Sequence, residues 1–108
     1  MKKIDTVDQF EQIISENPTF LLVKHSLTCP ISGAAFEQYK QFVEENKEVP
    51  TYYLAVQDSR PLSTHIAETY QIKHESPQAL LFSNKQVVWD TSHNNITVST
   101  LKEAVQNN

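Results

Sequence analysis

The sequence predicts an α/β domain: a four-stranded mixed sheet flanked by helices, in the order α-β-α-β-α-β-β-α. Three stretches carry that expectation. Phe20-Leu21-Leu22-Val23 is a short apolar run suited to a buried strand, and it leads through the only cysteine, Cys29, into Ala35, Tyr39, Phe42 and Val43, which recur at helical spacing. Thr51–Val56 is a second run of β-formers. Because a helix joins it to the first, the two strands are expected to lie parallel as one right-handed βαβ unit. Ala79–Phe82 and Gln86–Asp90, separated by a turn at Ser83-Asn84-Lys85, read as an antiparallel hairpin. A parallel pair plus a hairpin gives a mixed sheet with helices on both faces.

The first helix is set by Thr6 and Gln9, spaced as a capping box, with Val7, Phe10, Ile13 and Ile14 on one side and a stop near Asn17-Pro18. The second is expected from Pro30 to Asn46, with Pro30 in the first turn, where a missing N–H costs little. Gly33, the single glycine, falls early in that helix. Close backbone approach is the expected reason for it, since one glycine makes no phosphate-cradling loop. Asp58-Ser59-Arg60-Pro61 reads as a cap with a first-turn proline, and Leu62, Ile66 and Tyr70 continue the third helix. Thr97 is the expected N-cap of a last helix carrying Val98, Leu101, Ala104 and Val105. Tyr52 and Trp89 are assigned to sheet and core packing.

With 108 residues and 39% apolar content, residues 1–108 are expected to form one domain around a single core. One cysteine forms no internal disulfide, which points to a reducing, cytoplasmic location. After Met1-Lys2-Lys3 the acidic Asp5, Asp8 and Glu11 leave no apolar core for a signal peptide, and no stretch is long enough to span a membrane. A net charge of −4 and a pI near 5.5 argue against nucleic acid as a partner. The chain is expected to be monomeric.

Cys29 stands where a strand ends and a helix begins. Free backbone N–H groups and the positive end of the helix dipole favour an anion there, which favours the nucleophilic thiolate. A free cysteine is more often packing material, but its place before Pro30 at a helix start argues for reactivity. Other cysteine chemistries fail on spacing. A Cys-x5-Arg phosphatase loop would need arginine at Ala35, and a peroxiredoxin pattern would need proline at Leu22 and threonine at Ser26. No pairing of Cys29 with His25, His65, His74 or His93 has a metal-ligand spacing, so no metal is expected. Thiol exchange remains. Ser32 is read either as a hydrogen-bond donor to the thiolate or as a local backbone cap, and His25 either as a thiolate or substrate contact or as a loop histidine. Pro77, opening the first hairpin strand, would lie across from Cys29.

Thr28-Cys29-Pro30-Ile31-Ser32, followed much later by Ser76-Pro77 before a hairpin, resembles the thioredoxin and glutaredoxin superfamily over nearly the whole chain. More narrowly, Lys24-His25-Ser26 ahead of that motif and Ser92-His93-Asn94-Asn95-Ile96-Thr97 near the end are similar to the YtxJ family of monothiol bacilliredoxins. The resemblance implies a thioredoxin-like fold, a cis Ser76-Pro77 bond facing Cys29, and a backbone before Pro77 that pairs with the thiol substrate. It also implies a thiol–disulfide oxidoreductase that removes bacillithiol from mixed disulfides on cytosolic proteins, with bacillithiol as co-substrate, no tightly bound cofactor, and Cys29 supported by Thr28, Pro30, Ser32 and His25. Ser92 and His93, just before the last helix, are read either as contacts to the malate end of bacillithiol at a free helix N-terminus or as ordinary capping polarity ahead of Thr97. Ser32 replaces the second cysteine of dithiol relatives, and Val23 replaces the buried acid of thioredoxins. An iron–sulfur cluster shared by two copies is a lesser option. The competing class is a non-catalytic thioredoxin-fold module that uses Cys29 as a redox-sensing mark.

Overall fold

The computed structural model describes residues 1–108 and contains four α-helices around one five-stranded mixed sheet. In chain order the elements are β1 (Lys2–Lys3), α1 (Val7–Glu16), β2 (Thr19–His25), α2 (Pro30–Glu45), β3 (Thr51–Ala55), α3 (Arg60–Tyr70), β4 (Gln78–Ser83), β5 (Gln86–Ser92), a 3₁₀ turn at His93–Asn95, and α4 (Val98–Asn107). The sheet order is β1-β3-β2-β4-β5. The expected four strands are all present, and β1 is a fifth. It is short, exposed and made of two lysines, so it carries no apolar alternation. Its parallel pairing with Tyr52 and Tyr53 of β3 is held by Ile4 N–H on Tyr53 O at 2.9 Å and by the Lys3–Asp58 ion pair at 2.8 Å. Lysines on a short edge strand also discourage further strand addition.

Central β2 positions the site. It pairs parallel with β3, Leu21 opposite Thr51 through His25 opposite Ala55, and antiparallel with β4, Thr19 opposite Ser83 through Lys24 opposite Gln78. Strand alternation sends Phe20 and Leu22 into a cluster with Phe10, Ile14, Leu62, Ile66, Leu80 and Phe82 under α1 and α3, where Phe20 stacks on Phe82 at 4.7 Å. Leu21 and Val23 face the opposite way, onto Ala35, Tyr39 and Phe42 of α2 and Leu101 and Ala104 of α4. Burial on both faces explains why this strand is continuously apolar rather than alternating.

The caps at Thr6 and Thr97 form as expected, each side-chain oxygen accepting from the backbone three residues on. At α3, Ser59 is the N-cap but its hydroxyl donates to Asp5 Oδ1 at 3.1 Å, tying the helix to the N-terminal segment instead of capping it. The β4–β5 turn places Asn84 and Lys85 at positive φ, 51° and 67°, as a two-residue hairpin turn of matching twist requires. Gly33 corrects an expectation: a Cβ built there meets nothing within 4 Å, so no close backbone approach explains it. Tyr52 and Trp89 pack at the borders of the two core clusters, as assigned.

Candidate active site

Cys29 is the N-cap of α2, extended at φ −100° and ψ 122°, half-buried, with its thiol in no capping hydrogen bond. Pro30 at the first helical position has no N–H. The first amides of a helix lack intrahelical acceptors, so those of Ile31 and Ser32 are left without a helical partner at the turn that Cys29 heads. Gly33 N–H closes the first helical bond on Cys29 O at 3.0 Å. Leu27 and Ile31, two residues to either side of the half-buried cysteine, are 56% and 43% exposed.

Ser32 is fully buried, and its Oγ accepts from Ser26 N–H at 2.8 Å and meets His25 Nδ1 at 2.9 Å. Its hydrogen bonds run to the preceding loop and to His25 rather than to the sulfur or to its own helix turn. The His25 ring stacks on Phe36 at 4.3 Å, and desolvation, reinforced by Lys40, holds it below the ordinary histidine range. A neutral imidazole contributes no positive charge to a thiolate, so His25 acts here as the partner that orders Ser32. Thr28 Oγ1 accepts from Gln57 Nε2 at 3.4 Å.

The Ser76–Pro77 bond is cis, and the register that sets Gln78 opposite Lys24 puts Pro77 just beyond, across from the end of β2. Pro77 O accepts from His93 N–H at 3.0 Å, while Ser92 pairs with Gln78 at the end of β5. The Ser76 hydroxyl is buried without a hydrogen-bond partner. His93 adopts φ 56° and pairs through Nε2 with Glu75 Oε2 at 3.4 Å. His93 and Ile31 share the wall of one cavity of about 120 Å³ between the first turns of α2 and the 3₁₀ turn, with Gln38 and Thr97 also lining it. At this cavity the first turns of α2, which follow Cys29, meet the His93 turn, whose N–H is hydrogen-bonded to Pro77 O. The α4 N-terminus beside them is partly occupied, since Val98 N–H donates to Gln38 Oε1 at 3.0 Å and Thr100 N–H to Thr97 Oγ1 at 3.1 Å. No group of three or more His, Cys, Asp or Glu side chains is placed to hold a metal ion, and no helix is long and apolar enough to cross a membrane.

Sequence reasoning passed over Lys24, Gln57 and Glu75. Lys24 is 1% exposed; its Nζ donates to Ser63 O at 3.0 Å and to His74 Nδ1 at 3.4 Å, and burial lowers it to about 8. Strand period two would have found it, since Phe20, Leu22 and Lys24 share one face. Gln57 and Glu75 lie outside regular elements and gave no periodic signal.

A family model described as monothiol bacilliredoxin BrxC matches residues 2–101. A solved structure described as a candidate oxidoreductase with a thioredoxin fold is 47% identical, covers 95% of this chain and 91% of that one, and superimposes with a TM-score of 0.90. Fasciola hepatica thioredoxin, 16% identical over 99% of this chain and 98% of its own, has a TM-score of 0.81. Oxidised mitochondrial thioredoxin 3 of Saccharomyces cerevisiae, 13% identical over 100% of this chain and 95% of its own, has 0.79. The last two share the fold alone. With a single cysteine at the head of α2, a thioredoxin-like fold and a family match across almost its whole length, the chain belongs to the monothiol bacilliredoxin family and is a thiol–disulfide oxidoreductase.

Proposed function

We propose that the protein removes bacillithiol from mixed disulfides on cytoplasmic proteins, working as a monomer through Cys29. The observation that carries this reading is the lone sulfur, half-exposed at the α2 N-cap and bound by no side chain, in a chain with no second thiol to resolve it. The Cys29 thiolate attacks the bacillithiol sulfur of the mixed disulfide. That S–S bond breaks, its electron pair leaves with the protein sulfur as a thiolate, and a Cys29–bacillithiol disulfide forms. A second bacillithiol thiolate then attacks the bacillithiol sulfur of that adduct, which restores Cys29 and yields the symmetric small-thiol disulfide. Thr28, Pro30, Ser32 and His25 support the nucleophile, Ser76 and Pro77 bound the substrate sulfur, and Ser92 and His93 contact the malate end of bacillithiol.

Mass spectrometry tests the reading directly. Reduced protein mixed with a bacillithiolated substrate should gain the mass of one bacillithiol on Cys29 as the substrate loses it, and Cys29→Ala should gain none. Transfer from a glutathionylated substrate but not from the bacillithiolated one would refute the choice of thiol. Transfer from neither would refute the exchange itself.

A further inference from the structure

We propose that Gln57 is a positioning residue for Cys29. Its single side-chain amide is divided among all three residues of the loop between β2 and the cysteine. Oε1 accepts from Leu27 N–H at 3.0 Å, and Nε2 donates to Ser26 Oγ at 2.9 Å and to Thr28 Oγ1 at 3.4 Å. Both amide protons are thereby used. The residue that carries the amide is itself well fixed. Val56 is buried and its N–H donates to His25 O at 2.9 Å, while Asp58 N–H and Ser59 N–H both donate to Ala55 O at 3.0 Å.

Gln57 is exposed, so it does nothing for the core. Ordering such a long side chain costs rotamer freedom, and three converging hydrogen bonds offset it. The loop they hold has little else. Leu27 and Thr28 are exposed, and Ser26 N–H is taken by Ser32 Oγ on the helix side. The bearing of Cys29 on the free amides of Ile31 and Ser32 is therefore set from two directions, by Ser32 within α2 and by Gln57 from the β3–α3 turn. Without Gln57, Leu27 and Thr28 lose their tie to the rest of the fold. The sulfur then spends less time in register with the helix start, where a negative charge is stabilised.

The inference rests on Cys29 acting as a nucleophile but not on the identity of the small thiol, because alkylation by iodoacetamide reads the thiolate with no disulfide present. Full-length wild type, Gln57→Ala and Gln57→Glu would be alkylated from about pH 5 to about pH 9, with adduct formation followed by mass. A parallel urea midpoint records stability. Gln57→Ala should react about three- to tenfold more slowly near pH 7, with its pH–rate profile displaced to the alkaline side and the wild-type rate regained at high pH, the scale expected for losing about 1 kcal/mol of hydrogen bonding. Gln57→Glu keeps an acceptor for Leu27 N–H but loses both donors and adds a negative charge beside the loop, so its profile should move at least as far. Unchanged profiles in both variants would overturn the proposal, and a fall in urea midpoint alone would reduce Gln57 to a structural tie. Wild-type Cys29 reacting no faster than a free cysteine peptide near neutral pH would instead refute the nucleophile reading beneath it.

Discussion

Lys24 makes a buried amine whose cost can be read from pH. Its hydrogen-bond partners, Ser63 O and His74 Nδ1, are neutral, and burial lowers it from the ordinary 10.5 to about 8. The unfolded chain, with the ordinary value, holds the proton more tightly than the folded one. Between about pH 8 and about pH 10.5 folding therefore releases a proton, and stability must rise with pH across that window. Raising the pH from about 7 to about 9, one unit above the folded-state value, should add about 1.4 kcal/mol from this group alone. Lys24→Met removes the titration while filling much of the same space. Urea denaturation followed by the fluorescence of the single tryptophan, Trp89, should find Lys24→Met at least as stable as wild type near pH 7, because a buried unpaired charge opposes folding. The difference should then shift toward wild type by about 1.4 kcal/mol near pH 9. Other groups cancel in the comparison. His74 faces Lys24 but is itself held below the ordinary histidine range by desolvation and by Lys24, with Arg60 adding to the effect and Glu75 opposing it, so it titrates below this window. A wild-type minus variant difference that stays flat from pH 7 to pH 9 would refute the reasoning.

Gly33→Ala should stabilise the protein by about 0.5–1 kcal/mol, since a Cβ there meets open space inside a helix, and thermal denaturation checks it; destabilisation would mean the glycine has a conformational role. Tyr39→Phe should cost about 1–2 kcal/mol in urea denaturation, because the fully buried hydroxyl donates to Tyr52 O at 2.8 Å and Leu21 O at 3.3 Å, bracing α2 against β2 and β3. Ser32→Cys should restore a resolving thiol. Mass spectrometry of its bacillithiol adduct should show the small thiol leaving without added reductant as an internal disulfide forms, and a persistent adduct would place the two sulfurs out of reach.

The helices and inner strands were legible because each carries a local signal. The Thr6–Gln9 and Thr97 caps, the proline at the head of α2 and the apolar faces of β2 and β4 all sit within a few residues of what they specify. Cys29 was legible for the same reason, since strand, thiol and helix are contiguous. What the sequence hid is contact between distant segments. β1 exists only because Lys2 and Lys3 find the free edge of β3, and nothing in two exposed lysines announces that. Lys24 was passed over because its polarity ended the apolar run at Val23. Fold closure buries it all the same, by bringing Ser63 and the loop at His74 over it. Gln57 reaches its three partners from about 30 residues away in sequence, so no spacing rule could pair them.

The same contrast between local and distant contacts bears on why a single sulfur suffices. In a dithiol site the second cysteine, one helical turn on, attacks the mixed disulfide from within the chain. Here that position is Ser32, and its oxygen is committed to Ser26 N–H and His25 Nδ1, holding the loop that presents Cys29. The hydroxyl is no nucleophile toward a disulfide, so a small thiol taken onto Cys29 stays until another thiol arrives from solution. What one residue gives up in resolving power it returns as rigidity in the segment before the nucleophile. In the reaction proposed above, turnover therefore requires a thiol supplied from outside the chain.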